Sequence, residues 1–260
     1  MTKFLGLIFI CCSVSSFGQK GVHESVTLDK PPVIDGRVDD WPTEWWIDPD
    51  GKFLCNVSND EENLYFRLKI ADDLTQQKIG LFGLSLKLNP KGKRKGKVGL
   101  KYPVGKDKSE LKKEKPSAED PNTDLAAKLE MKKAWVSDVE VVELIGLAKE
   151  NIVSSRLGLA NGIEAIIIAQ DDGSYLYEAK IPFKAFRINK KEVPLLGVEF
   201  ETGRMTPPTN TNPANNNPSY SPTSRGAGGY GGQSQQRYYS NYQYNVLTTP
   251  GYLWVGVKLK

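Results

Sequence analysis

Leu64-Tyr65-Phe66-Arg67-Leu68-Lys69-Ile70 puts an apolar side chain at every even position and Tyr, Arg or Lys at every odd one. Successive side chains of an extended chain point to opposite faces, so the stretch predicts a half-buried strand. The same spacing returns in Phe82, Leu84, Leu86 and Leu88, in Leu196, Val198 and Phe200, and in Leu253, Val255, Val257 and Leu259. It assigns Leu64, Phe66, Leu68, Val198, Phe200, Val255 and Val257 to an interior. Residues 139–147 and 163–169 are more continuously apolar, as strands covered on both faces are. Residues 175–181 form another strand, stopped by Pro182. Helical signal is confined to residues 125–135 and a turn within 38–46. Many short strands separated by Gly, Asn, Asp and Pro predict an all-β fold, a two-sheet antiparallel β-sandwich of immunoglobulin or jelly-roll type with long loop insertions.

The chain has 260 residues, 39% hydrophobic, which suits one sandwich domain and excludes wholesale disorder. A net charge of +4 is too small for a globally basic nucleic-acid binder. His23 is the one histidine, so a Ser-His-Asp or Cys-His arrangement has little material. Two acids suffice for a glycosidase, but no spacing singles out a pair. The expectation is a protein that binds rather than catalyses.

Residues 1–18 read as a secretory signal. Lys3 precedes the apolar run 4–12, which is shorter than the ~18 residues of a membrane helix. Ser16 and Gly18 suit the −3 and −1 positions of a cleavage site before Gln19. The protein is thus expected to be exported, whether periplasmic, cell-surface or secreted, with no transmembrane segment after signal removal. Cleavage removes Cys11 and Cys12 and leaves Cys55, so no internal disulfide forms. Phe53-Leu54-Cys55 is apolar, and Cys55 reads as a small buried hydrophobe.

Residues 19–260 are read as one sandwich domain with two interruptions, a Lys-rich insertion at 91–115 and a low-complexity loop at 206–245. Residues 87–115 carry a local charge of +9. Residues 206–245 lack Asp, Glu, Lys, Leu, Ile and Val and hold six tyrosines. Without apolar anchors, both are expected to be mobile. The basic stretch is either a solvated loop or a patch for anionic glycan, lipopolysaccharide phosphate or a membrane surface. Nucleic acid is not expected as a partner of an exported chain.

Pro32-Val33-Ile34-Asp35-Gly36-Arg37-Val38-Asp39-Asp40-Trp41 is the most specific motif. Asp-Gly is turn chemistry, Asp39 or Asp40 can cap a helical turn, and Trp41 would plug one end of the sandwich. The motif resembles the start of family 9 carbohydrate-binding modules and their wider relatives, the DOMON-like sandwiches. Asn59-Asp60-Glu61-Glu62-Asn63-Leu64-Tyr65-Phe66 followed by Ile70-Ala71-Asp72-Asp73, and Tyr177-Glu178-Ala179-Lys180-Ile181-Pro182-Phe183, resemble two later steps of the same family in the same order. The resemblance implies a β-sandwich, a carbohydrate ligand and calcium near the loops, with Asp35, Asp39, Asp72 and Asp73 as candidate ligands beside Asp48 and Asp50. Haem binding, known in some DOMON relatives, would draw on His23, Met131 and Met205, which are scattered.

The family clamps a terminal sugar between two tryptophans, one midway and one in a late loop. Here the middle region is Lys-rich without tryptophan, and the late loop holds tyrosines. Tyr238, Tyr239 and Tyr242 are therefore candidate sugar-stacking residues, with Trp45 and Trp46 as further aromatic candidates. Trp45 and Trp46 are adjacent and point to opposite faces if extended. Trp135 and Trp254 read as core. The functional expectation is a monomeric, non-catalytic module binding carbohydrate at the cell envelope. The alternative is a structural or protein-interaction domain of an envelope assembly, with an envelope protein as its partner and no sugar ligand.

Overall fold

Leu64, Phe66, Leu68 and Ile70 are all fully buried, and the strand they define runs through the middle of one sheet. The computed structural model describes residues 21–106, 124–137, 141–147, 152–154, 162–206 and 245–260. In chain order the strands are β1 (Val22–Glu24), β2 (Val26–Thr27), β3 (Trp46–Ile47), β4 (Phe53–Asn59), β5 (Asn63–Ile70), β6 (Leu84–Asn89), β7 (Val98–Lys101), β8 (Val142–Ile145), β9 (Ile152–Ser154), β10 (Glu164–Ala169), β11 (Tyr175–Pro182), β12 (Leu196–Thr202) and β13 (Tyr252–Lys258). The longer helices among the described residues are α1 (Asp73–Phe82) and α2 (Leu125–Val136).

Seven strands form one sheet in the order β1-β13-β12-β6-β7-β8-β9. Six form the other, β10-β11-β5-β4-β2, with β3 also pairing β4. Phe200 of the first sheet meets Phe66 and Tyr177 of the second edge-on, each at 6.3 Å between centroids, so the sheets pack face to face. All seven residues assigned to the interior lie there, none more than 4% exposed. The chain is an all-β, two-sheet sandwich.

Pairing is antiparallel except at β1 and β2, which run parallel to β13 and β4. These two are one extended stretch that changes sheet at Ser25. The buried Ser25 hydroxyl bonds Asn59 of one sheet and the Lys258 carbonyl of the other, tying the layers at the crossover.

The Lys-rich stretch differs from the expectation of a mobile insertion. Val98–Lys101 is β7, hydrogen-bonded between β6 and β8, with Gly99 and Leu100 buried. Its four-residue pattern is hidden among lysines, and its pairing comes from distant strands. Residues 107–123 lie outside the described residues, as do 207–244 of the low-complexity stretch.

Helix α2 falls where the sequence predicts a helix. Helix α1 does not appear in the alternation. Its signals are Asp72, whose carboxylate accepts from the Thr75 amide (2.8 Å) and hydroxyl (2.6 Å) as an N-cap, and Gly83 at the far end with φ +85. Trp135 packs partly buried against the core, close over Gly80, where a Cβ would lie 2.7 Å from that of Trp135. Trp254 departs from its assignment as core. Leu253, Val255 and Val257 take the inner face of β13, which turns Trp254 outward under the Arg94 guanidinium, 5.5 Å from its centroid.

Cys55 is fully buried in the core, and burial pushes its thiol pKa far up. In a chain lacking residues 1–18, a thiol-disulfide colour reagent should leave Cys55 unmodified in buffer and titrate one thiol in concentrated guanidinium. Rapid reaction in buffer would show that the sheets part readily.

Candidate functional site

Because β5 turns Leu64, Phe66 and Leu68 inward, it turns Arg67 and Lys69 outward. Arg67 is nevertheless only 2% exposed. The cover is the segment between β2 and β3, which carries the Pro32 to Trp41 motif. In the register of the six-stranded sheet, Asn56, Arg67 and Glu178 lie side by side on β4, β5 and β11. Each holds a different point of the segment. Asn56 donates to the Glu44 carbonyl (2.9 Å). Arg67 donates to the carbonyls of Pro42 (2.6 Å) and Val38 (3.4 Å). Glu178 accepts from the Gly36 amide (2.9 Å).

The motif supplies the matching shape. The Asp35 carboxylate accepts from the Arg37 amide (2.9 Å), and Asp40 accepts from the Val33 amide (2.7 Å). Gly36 has φ +80 and sits where a Cβ would come 2.3 Å from Ile168 Cδ1 of β10. Only glycine meets both conditions without displacing the segment. Trp41 is 5% exposed, with the Arg67 guanidinium 5.3 Å from its centroid. It does not plug an end of the sandwich, as the sequence suggests, but packs on the outer face of a sheet. The reason is the buried cation opposite it, which favours an aromatic face.

Arg67 Nε, Glu178 Oε1 and Trp41 Nε1 are buried and make no hydrogen bond among the described residues. Burial pushes the Glu178 carboxyl up to about 7; the charges of Asp35 and Asp40 add to the shift, and the Gly36 amide opposes it.

Beside this clamp is a cavity of about 490 Å³. It is lined by Val38, Trp41 and Trp45 of the covering segment, by Arg67, Lys69 and Leu176 of the sheet, and by Gln170, Asp171 and Asp172 of the β10–β11 turn. Trp45 is half-buried, with the Arg67 guanidinium 4.0 Å from its ring centroid. Lys69 Nζ bonds Asp172 at 2.6 Å. Lys69 and Ser174 hold the Asp172 carboxyl down at about 2. The cavity thus joins an indole with carboxylate acceptors, an amide and an ammonium, held on two strands and a tight turn. That set suits a small molecule rich in hydroxyl groups, each of which both donates and accepts.

The other aromatic candidate faces away. Trp46 pairs with Cys55 in register, packs against the core and stacks on His23 (4.3 Å, 10° between planes). Burial lowers the His23 pKa. Adjacent positions of an extended segment therefore give Trp45 to the cavity and Trp46 to the interior side. Tyr238, Tyr239 and Tyr242 lie outside the described residues.

The four aspartates named for calcium serve two separate places. Asp35 shapes the covering segment and Asp39 is exposed on it. Asp72 caps α1, and Asp73 bonds Lys132 of α2 at 2.7 Å. Among the described residues no three His, Cys, Asp or Glu side chains gather as a metal-binding group.

A larger groove, about 1310 Å³, lies elsewhere, lined by residues including Glu61, Asn63, Lys184 and Lys191. Its one aromatic, Phe183, belongs to the core. Sequence reading missed Lys69, Gln170, Asp171 and Asp172. The only local signal was the Asp171-Asp172-Gly173 turn, which reads equally well as an ordinary hairpin.

No helix among the described residues is long and apolar enough to cross a membrane. No protein-family model matches the chain, and no curated protein matches it. Among solved structures, the chain is similar to a family 9 carbohydrate-binding module from Caldicellulosiruptor kristjanssonii in complex with cellotriose, at 15% identity over 69% of this chain and 75% of that one, with a TM-score of 0.32. It is also similar to a family 9 module from the same organism in complex with glucose, at 13% identity over 91% of this chain and 94% of that one, with a TM-score of 0.36.

Proposed function

We propose that the protein is an exported, non-catalytic carbohydrate-binding module whose sugar site is the cavity beside Trp45. The observation that carries this reading is the convergence of Trp45 with Lys69, Gln170, Asp171 and Asp172 in one cavity of single-sugar to disaccharide scale. A pyranose lays its axial C–H bonds on the indole face, while its hydroxyls bond the carboxylates, amide and ammonium. Arg67 and Lys69 balance Asp171 and Asp172 in formal charge, so the cavity recognises hydroxyls rather than net charge. The resemblance of the covering motif to family 9 modules points to the same ligand class.

A glycan array on the purified chain, followed by calorimetry on its best ligand, tests the proposal. Trp45→Ala should weaken binding by about tenfold or more, the worth of an aromatic stacking contact of roughly 1.4 kcal/mol. Asp171→Asn should also weaken it, and this exposed turn residue leaves the fold intact. Glycan binding indifferent to both substitutions would move the site elsewhere. Capture of an envelope protein with no glycan bound would support the interaction-domain alternative.

A further inference from the structure

The loop from β6 to β7, residues 90–97, carries Lys91, Lys93, Arg94, Lys95 and Lys97, all exposed. None of the five has a carboxylate partner among the described residues. The loop is nevertheless held through one backbone group of each residue from Lys91 to Lys97. The Lys93 carbonyl accepts from Trp254 Nε1 (3.4 Å), the Arg94 carbonyl from the Tyr252 hydroxyl (3.2 Å), and the Lys95 carbonyl from Asn89 Nδ2 (2.6 Å). The amides of Lys91 and Gly92 donate to Asn89, at 3.0 Å each. The Gly96 amide donates to Glu199 (2.9 Å) and the Lys97 amide to the Leu88 carbonyl (2.8 Å). The fit to the sheet is close: a Cβ on Gly197 would lie 2.4 Å from the Lys93 oxygen.

Polar backbone groups thus turn to the sheet and leave the cationic side chains to solvent. The carboxylates beneath offset only a small part of that charge. Glu199 and Glu201 share the one ammonium of Lys87, which leaves a single negative charge against five cations, and Glu199 also takes the Gly96 amide. Tyr252, 43% exposed, stands beside the loop, and Arg94 is steadied over Trp254. Cations with no carboxylate partner among the described residues, on a loop already tied to the sheet, attract a polyanion at little cost in ordering.

We propose that residues 90–97, with Tyr252, form a binding site for an acidic polysaccharide, on the opposite sheet from the Trp45 cavity and independent of it. A uronate or sulfated chain offers anionic groups for the cations and C–H faces for the exposed tyrosine. A bilayer fits less well, because no exposed aliphatic side chain of the described residues lies in the loop to insert. A nucleic acid fits less well, because the face of Trp254 on which a base would stack is covered by Arg94.

Polygalacturonate titrated into the full chain tests this. Wild type should bind, with affinity falling between ~50 and ~300 mM salt as screening shortens. The combined variant Lys91→Gln, Lys93→Gln, Arg94→Gln and Lys95→Gln should lose about tenfold or more in affinity at an unchanged melting temperature, because the loop is held by backbone atoms. The single variant Lys95→Glu should weaken binding in the same direction. Trp45→Ala should leave it unchanged, which separates this site from the cavity. The proposal is overturned if the combined variant binds as wild type does, if no polygalacturonate binds at low salt, or if Trp45→Ala abolishes binding. Tighter binding of duplex DNA, or of phosphatidylglycerol–phosphatidylcholine vesicles, than of polygalacturonate would also overturn it.

Discussion

Arg67→Ala should destabilise the protein by about 3–5 kcal/mol, the range for breaking a buried charged cluster by removing one member. Arg67 is the middle of the row that holds the covering segment. Its loss frees the carbonyls of Val38 and Pro42 and removes the cation on which Trp41 and Trp45 pack. It also leaves Glu178, its cross-strand neighbour, buried without a cation beside it. Urea unfolding followed by tryptophan fluorescence measures the effect directly, because Trp41 and Trp45 report on the same site. Arg67→Lys should restore only part of the loss, since an ammonium cannot span two carbonyls as a planar fork does. The cavity depends on the segment, so glycan binding should fall with Arg67→Ala even where the sandwich stays folded. A loss below about 1 kcal/mol would show that the segment is held by other contacts.

Glu178→Gln should remove a pH dependence that wild type carries. The carboxyl is raised by burial from its ordinary value to about 7 in the folded protein. A raised carboxyl binds its proton more tightly folded than unfolded. Its contribution to stability is therefore full below the unfolded pKa and is lost as pH rises through about 7. Glutamine keeps the acceptor for the Gly36 amide and carries no charge at any pH. The stability difference between variant and wild type should shift in the variant's favour by about 2–3 kcal/mol from about pH 5 to about pH 8. His23, whose pKa is lowered, works in the opposite sense but equally in both proteins, so it cancels in the difference. Asp172, held at about 2, is ionised across the whole window. Chemical denaturation of both proteins at several pH values gives the result. A difference independent of pH would mean that Arg67 compensates Glu178 fully in the folded state.

Both predictions concern residues that look ordinary in the sequence. Arg67 sits at an odd position of an alternating strand, where a solvated charge is expected. Glu178 occupies the same kind of position in β11. What buries them is a segment that reaches Glu178 from Gly36, far away in the chain. The charge row is costly, because Arg67 Nε and Glu178 Oε1, like Trp41 Nε1 of the segment that covers them, make no hydrogen bond among the described residues. Its return is a segment held at three points, and that segment forms one side of the cavity.

The alternation at Leu64, Phe66 and Leu68, at Val198 and Phe200, and at Val255 and Val257 was enough to determine the sandwich and its interior. Side-chain direction in a strand is a local property with period two, and burial on one face writes it into composition. The same local geometry determined that Trp45 and Trp46 would face apart, that β11 would stop near Pro182, and that residues 125–135 would be helical. Only the tertiary structure decided which tryptophan meets the cavity, that Trp41 covers a sheet instead of closing an end, and that Trp254 lies outside. It also decided that the lysines after β6 stand on a fixed loop, with β7 paired beyond it. These outcomes depend on which strands become neighbours. Glu178 reaches Gly36, Trp254 reaches Lys93 and Lys69 reaches Asp172 across gaps of 142, 161 and 103 residues. No window along the chain contains both partners of such a contact, so their chemistry becomes legible only once the sheets have brought them together.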